Sequence, residues 1–82
     1  MTLALSSIRD RAEALWRELL DLPIIAPDAD FFDLGGDSMR AIEMLVTILG
    51  EADTSIDLEV YFDRPTLGHL ISMIEEAIGG AG

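Results

Sequence analysis

The sequence predicts an all-α fold, a small bundle of three main helices plus one short helix, with a long structured loop between helices 1 and 2. Two observations lead there. Apolar residues recur at helical spacing in three separate stretches. Only one short segment alternates apolar and polar residues, and a lone strand has nothing to pair with. A third observation sets the scale: 82 residues, half of them hydrophobic, make one domain around one core. Residues 1–82 therefore read as a single domain, with an ordered core over about 7–78 and flexible ends at 1–6 and 79–82.

The first helix is expected from about Ile8 to Asp21. Ser7 followed by Asp10 resembles a capping box. Ile8, Ala12, Leu15 and Leu19 share one face, which Trp16 and Leu20 widen, and Pro23 blocks continuation. From Leu22 to Asp37 no helical period is visible. A loop above about 12–15 residues in a compact domain is usually functional or disordered. Ile24, Ile25, Phe31, Phe32 and Leu34 argue against disorder, because each is worth ~1.5–3 kcal/mol when buried. They should pin the loop to the core, with its last turn left in solvent.

The second helix is expected from about Ser38 to Leu49, stopping before Gly50. A helical wheel puts Ala41, Ile42, Leu45, Ile48 and Leu49 inside and Arg40, Glu43 and Thr47 outside. Met39 and Val46 share one margin, and Met44 lies on the other. Ile56 to Phe62 is the alternating segment, read as a short helix or a turn packing Leu58, Tyr61 and Phe62. Arg64-Pro65-Thr66 breaks the chain, and Thr66 is a good N-cap for a last helix whose stripe is Leu67, Leu70, Ile71, Ile74 and Ile78. Gly79-Gly80-Ala81-Gly82 is not expected to hold a helix and should fray.

Composition narrows the function classes. Acidic residues outnumber basic ones 16 to 5, giving a net charge of −11. Such a surface repels phosphate backbones and anionic lipid heads, so neither nucleic acid nor a membrane is an expected partner. No cysteine is present, and His69 is the single histidine, so no metal site is expected. No apolar run approaches ~18 residues, and the start lacks the basic region of a signal peptide. The expectation is a soluble, cytoplasmic chain, monomeric because no long heptad or wide apolar stripe is apparent.

The informative stretch is Asp30-Phe31-Phe32-Asp33-Leu34-Gly35-Gly36-Asp37-Ser38-Met39. Two glycines permit a sharp turn. Asp37 and Ser38 then open a helix, whose free N–H groups and dipole favour an attached phosphate. The plainer alternative is an ordinary turn with a cap.

The same stretch resembles the signature of the acyl and peptidyl carrier proteins, a Leu-Gly-Gly-(Asp/His)-Ser-(Leu/Met) turn before the second helix. Leu15-Trp16-Arg17-Glu18-Leu19-Leu20 is similar to the family's first-helix segment. Tyr61-Phe62-Asp63-Arg64-Pro65-Thr66-Leu67 is similar to its Leu-Phe-x-x-Pro-Thr segment. The resemblance covers about Ile8 to Ile78, and three ordered motifs at compatible spacing are specific.

The resemblance implies a modified carrier and not an enzyme. Ser38 would receive covalent 4′-phosphopantetheine from coenzyme A through a phosphopantetheinyl transferase, within an attachment motif of Leu34, Gly35, Gly36 and Asp37. Met39 would touch partners, with Arg40 and Val46 extending that patch. The double glycine is more similar to peptidyl carriers than to fatty-acid carriers. The implied cargo is therefore an aminoacyl or peptidyl thioester of nonribosomal peptide biosynthesis, loaded by an adenylation or other loading enzyme and passed to condensation or tailoring enzymes. An acyl carrier of polyketide or fatty-acid synthesis is the alternative. The start at Met1 fits a free-standing carrier, and an excised module is the other option.

Three other readings fit parts of the sequence. Gly36-Asp37-Ser38-Met39 superficially resembles the start of the Gly-Asp-Ser-Leu esterases, with His69 as base. An oriented base, an oxyanion site and a pocket are too much for a small helical chain. Calcium binding at Asp28, Asp30 and Asp33 fails because Asp33 and Met39 stand where an EF-hand loop needs glycine and an acid. An unmodified helical interaction module would explain the helices and the charge but not the turn.

Overall fold

A computed structural model describes residues 5–79, with side chains from Ile8 onward. The expected flexible ends fall largely outside the described residues. Four helices follow in order, α1 (Leu5–Leu20), α2 (Ser38–Ala52), α3 (Leu58–Asp63) and α4 (Leu67–Gly79). Among the described residues the only β pairing is a single antiparallel bridge between Asp30 and Thr66. None of the described helices is long and apolar enough to cross a membrane.

The core is one cluster. Ile8, Ala12, Leu15 and Trp16 of α1 meet Ala41, Met44, Leu45, Ile48 and Ala52 of α2 and Leu67, Leu70 and Ile74 of α4. Ile25 and Phe31 close it from the long loop and Tyr61 from α3. Two ion pairs link α1 to its neighbours. Arg11 Nε donates to Glu51 Oε1 at 2.6 Å, joining α1 to the last turn of α2. Arg9 Nε donates to Glu75 Oε2 at 2.9 Å, joining α1 to α4. Pairs this open to solvent contribute only ~0–1 kcal/mol each.

Helix ends depart from expectation in informative ways. Because α1 already includes Leu5, Ser7 lies inside the helix and not at the expected N-cap position. The helix closes at Asp21, which adopts a left-handed φ of 55° while the Leu22 N–H bonds the Arg17 carbonyl at 3.1 Å. The end of α2 repeats this device. Asp53 has φ 55°, and the Thr54 N–H reaches the Leu49 carbonyl at 3.1 Å. Gly50 therefore does not stop α2, which continues to Ala52. Burial of Ala52 and the Glu51–Arg11 bond compensate for glycine's ~1 kcal/mol helix penalty. Gly79 is likewise helical, as the last residue of α4.

A methyl group at Gly50 would meet nothing within 4 Å. The Gly50→Ala variant should thus gain about 0.5–1 kcal/mol and melt a few degrees higher. A calorimetric Tm equal to or below that of the parent would contradict this.

The long loop is pinned, though by fewer residues than expected. Ile25 and Phe31 are buried, Leu34 is half-buried, and Ile24 and Phe32 are exposed. Backbone bonds do the remaining work. The Phe31 N–H donates to the Pro65 carbonyl at 2.9 Å, and the Gly68 N–H donates to the Pro27 carbonyl at 2.7 Å. Sequence periodicity does not register such bonds, which is why Ile24 looked necessary. Similarly, α3 buries Tyr61 and half-buries Phe62 but leaves Leu58 exposed, because Ile56 packs against the core instead. Thr66 caps α4 as expected, its Oγ1 accepting the His69 N–H at 3.1 Å.

Candidate functional site

The turn before α2 is built on an aromatic pillar. Phe31 is fully buried and meets Trp16 edge-on, with ring centroids 4.9 Å apart at 83°. The Gly36 backbone lies directly on that ring. A Cβ placed on Gly36 would fall 2.2 Å from Phe31 Cε2 and 2.9 Å from the Phe31 carbonyl oxygen. Gly36 donates its N–H to that carbonyl at 3.0 Å. Gly35 is needed for a different reason. Its φ is +102°, which L side chains rarely adopt, and a Cβ there would meet open space. One glycine thus permits the bend and the other permits the close approach.

Upstream, Asp30 Oδ1 accepts the Phe32 N–H at 2.8 Å and the Asp33 N–H at 3.3 Å, fixing the start of the turn. Downstream, Asp37 is the N-cap of α2 in an extended conformation, and its Oδ1 accepts the Arg40 N–H at 2.8 Å. The Asp37 carbonyl takes the Ala41 N–H at 2.9 Å. The N–H groups of Ser38 and Met39 are left outside this pattern, as the first turn of any helix requires. Ser38 is the first residue of α2 and is exposed.

The remaining predicted residues divide by face. Met39 and Val46 are 83% and 68% exposed, and Arg40 is exposed beside them. The helical wheel puts Ile42 inside and Met44 on a margin, and the structure reverses both. Ile42 is 53% exposed, whereas Met44 is fully buried. The buried line follows Ala41, Met44, Leu45, Ile48 and Ala52. That leaves Met39, Ile42 and Val46 as an outward stripe at i, i+3 and i+7. The spacing was readable, but which of two apolar stripes faces the core was not. Exposed Leu58 and Val60 on α3 were also missed, since six residues are too few to define a face.

His69 is engaged elsewhere. Its Nδ1 lies 2.7 Å from the Arg64 carbonyl, and its ring packs against Tyr61, with centroids 5.9 Å apart. Burial pushes the Tyr61 phenol well above its ordinary pKa, and the charge of Asp30 pushes it the same way.

An exposed hydroxyl at a helix N-terminus, with uncommitted N–H groups beside it and open space at Gly35, suits a covalently attached phosphodiester. Comparison with known proteins points the same way. The family model described as a phosphopantetheine attachment site matches residues 10–74. Tyrocidine synthase 3 of Brevibacillus parabrevis is 36% identical over 70 residues, covering 85% of this chain and 1% of that protein. Surfactin synthase subunit 2 of Bacillus subtilis (strain 168) is 31% identical over 68 residues, covering 83% of this chain and 2% of that protein. The chain therefore spans only a small fraction of these relatives. A peptidyl carrier protein, solved with the phosphopantetheine transferase Sfp and coenzyme A, superposes with a TM-score of 0.73 at 23% identity. It covers 90% of this chain and 92% of its own.

The four-helix fold is that of the carrier proteins. The chain belongs to the phosphopantetheine-attachment family, and its cofactor is covalently held 4′-phosphopantetheine.

Proposed function

We propose that Ser38 is the attachment residue and that the chain carries an aminoacyl or peptidyl thioester for nonribosomal peptide biosynthesis. The observation that carries this reading is the exposed Ser38 hydroxyl at the first position of α2, fixed by the Gly36–Phe31 contact and the Asp37 cap. The bound group would supply the thiol that this cysteine-free chain lacks. Every other task falls to protein residues. Leu34, half-buried, and the two glycines hold the turn. Asp37 fixes the backbone at Arg40 and with it the direction of the first helical turn. The chain would perform no catalysis itself and would be the substrate of a phosphopantetheinyl transferase and of a loading enzyme.

Met39, Arg40 and Val46, joined by Ile42, form the docking patch in this reading. Partners must bind and release quickly, so a small apolar patch on a strongly acidic body suits the task. Charge speeds encounter, and the limited contact area keeps residence short. The double glycine and Arg40 favour a peptidyl over an acyl cargo.

Incubation with coenzyme A and a broad phosphopantetheinyl transferase tests the assignment by intact mass. The parent chain should gain one phosphopantetheinyl group and Ser38→Ala none. A gain on Ser38→Ala, or no gain on the parent, would refute it. Co-expression with the native biosynthetic enzymes reads the cargo in the same way. An acyl group that is neither aminoacyl nor peptidyl would overturn the peptidyl assignment alone. In the loading assay, Arg40→Glu should slow the cognate enzyme, and an unchanged rate removes Arg40 from the patch.

A further inference from the structure

We propose that Met39 is a reversible oxidation site whose sulfoxide weakens docking at Ser38. This rests on the docking patch described above and adds a modification to it.

The chain has four methionines and no cysteine, so methionine thioethers are its own oxidisable sulfur. Their environments differ sharply. Met39 is 83% exposed, the highest value among the exposed large hydrophobic residues, whereas Met44 is fully buried. Met73 is half-buried against the core, and Met1 lies outside the described residues. Oxidation follows access, and among the described residues access singles out Met39. This thioether is also one residue from the attachment serine, at the head of the Met39, Ile42 and Val46 stripe.

The chemistry is self-contained. A peroxide supplies the oxidant. The Met39 sulfur lone pair attacks one peroxide oxygen, an S–O bond forms and the O–O bond breaks. Sulfur loses two electrons, the other oxygen leaves as hydroxide, and that hydroxide takes the proton of the transferred oxygen to become water. The product is a polar, chiral sulfoxide in place of a flexible apolar side chain. Because Met39 makes little use of the core, the fold should tolerate the change. The cost falls on the docked complex, where a dry apolar contact becomes polar. Methionine sulfoxide reductases with a thiol reductant reverse the step.

The test uses the apo chain and hydrogen peroxide, with coenzyme A and the transferase as the docking readout. Peptide mapping should find Met39 oxidised roughly tenfold faster than Met44 or more. The oxidised chain should keep its melting temperature while its modification rate falls about fivefold or more. Met39→Leu should be modified at the same rate before and after peroxide, and reductase treatment should restore the parent. Equal oxidation of Met39 and Met44, an unchanged rate in the oxidised parent, or an equal loss in peroxide-treated Met39→Leu would each overturn the proposal. The untreated parent reports on the carrier reading independently. Its modification supports that reading even if peroxide has no effect.

Discussion

Replacing Phe31 with alanine is expected to remove about 3–5 kcal/mol of stability. Domains of this size have ~0.05–0.15 kcal/mol per residue in total, so the variant should be marginally folded or unfolded at 37 °C. The loss has two parts. The ring is fully buried, and its edge-on contact with Trp16 joins the loop to α1. It is also the surface on which Gly36 rests, so the turn before Ser38 loses its support. Chemical denaturation should show a much lower midpoint, and transferase modification should slow even at temperatures where the variant remains folded. A loss below about 1 kcal/mol, the usual size for an ordinary point change, would mean that the ring is not the pillar described here.

Gly36→Ala should cost about 1–3 kcal/mol, the usual penalty for forcing a methyl group into a packed site. The cause is steric and not conformational, since the added carbon would lie 2.2 Å from a Phe31 ring atom. A buried ring wedged against Trp16 has nowhere to go, so the turn must shift, and Ser38 with it. A double-mutant cycle separates this from a general weakening. In a Phe31→Leu background the alanine should cost less, with a coupling of at least ~0.5 kcal/mol. The relief should be partial, because the Phe31 carbonyl oxygen at 2.9 Å also obstructs the methyl group. Strictly additive costs would show that the two residues do not bear on one another.

The two glycines should also respond differently to the same substitution. At Gly35 alanine has room but must adopt a φ of +102°, so the penalty there is backbone strain that no change at Phe31 relieves. Sequence reading identified the pair as a turn. It could not assign one to conformation and the other to clearance, because clearance depends on a ring brought there by the rest of the fold.

The amino-acid sequence by itself determined the helical class, the apolar stripes of α1 and α4, the Thr66 cap and the position of the serine after a glycine turn. All of these are local, since they follow from spacing of three or four residues or from a capping side chain next to its target. Tertiary structure alone decided which stripe of α2 is buried, carrying Ile42 outward and Met44 inward. It also decided that α2 runs through Gly50, and that the long loop is held by two buried side chains and by backbone bonds to Pro65 and Gly68. These outcomes depend on which groups meet across the bundle, and the free energy of burial and of a satisfied backbone is settled only when those partners are in place.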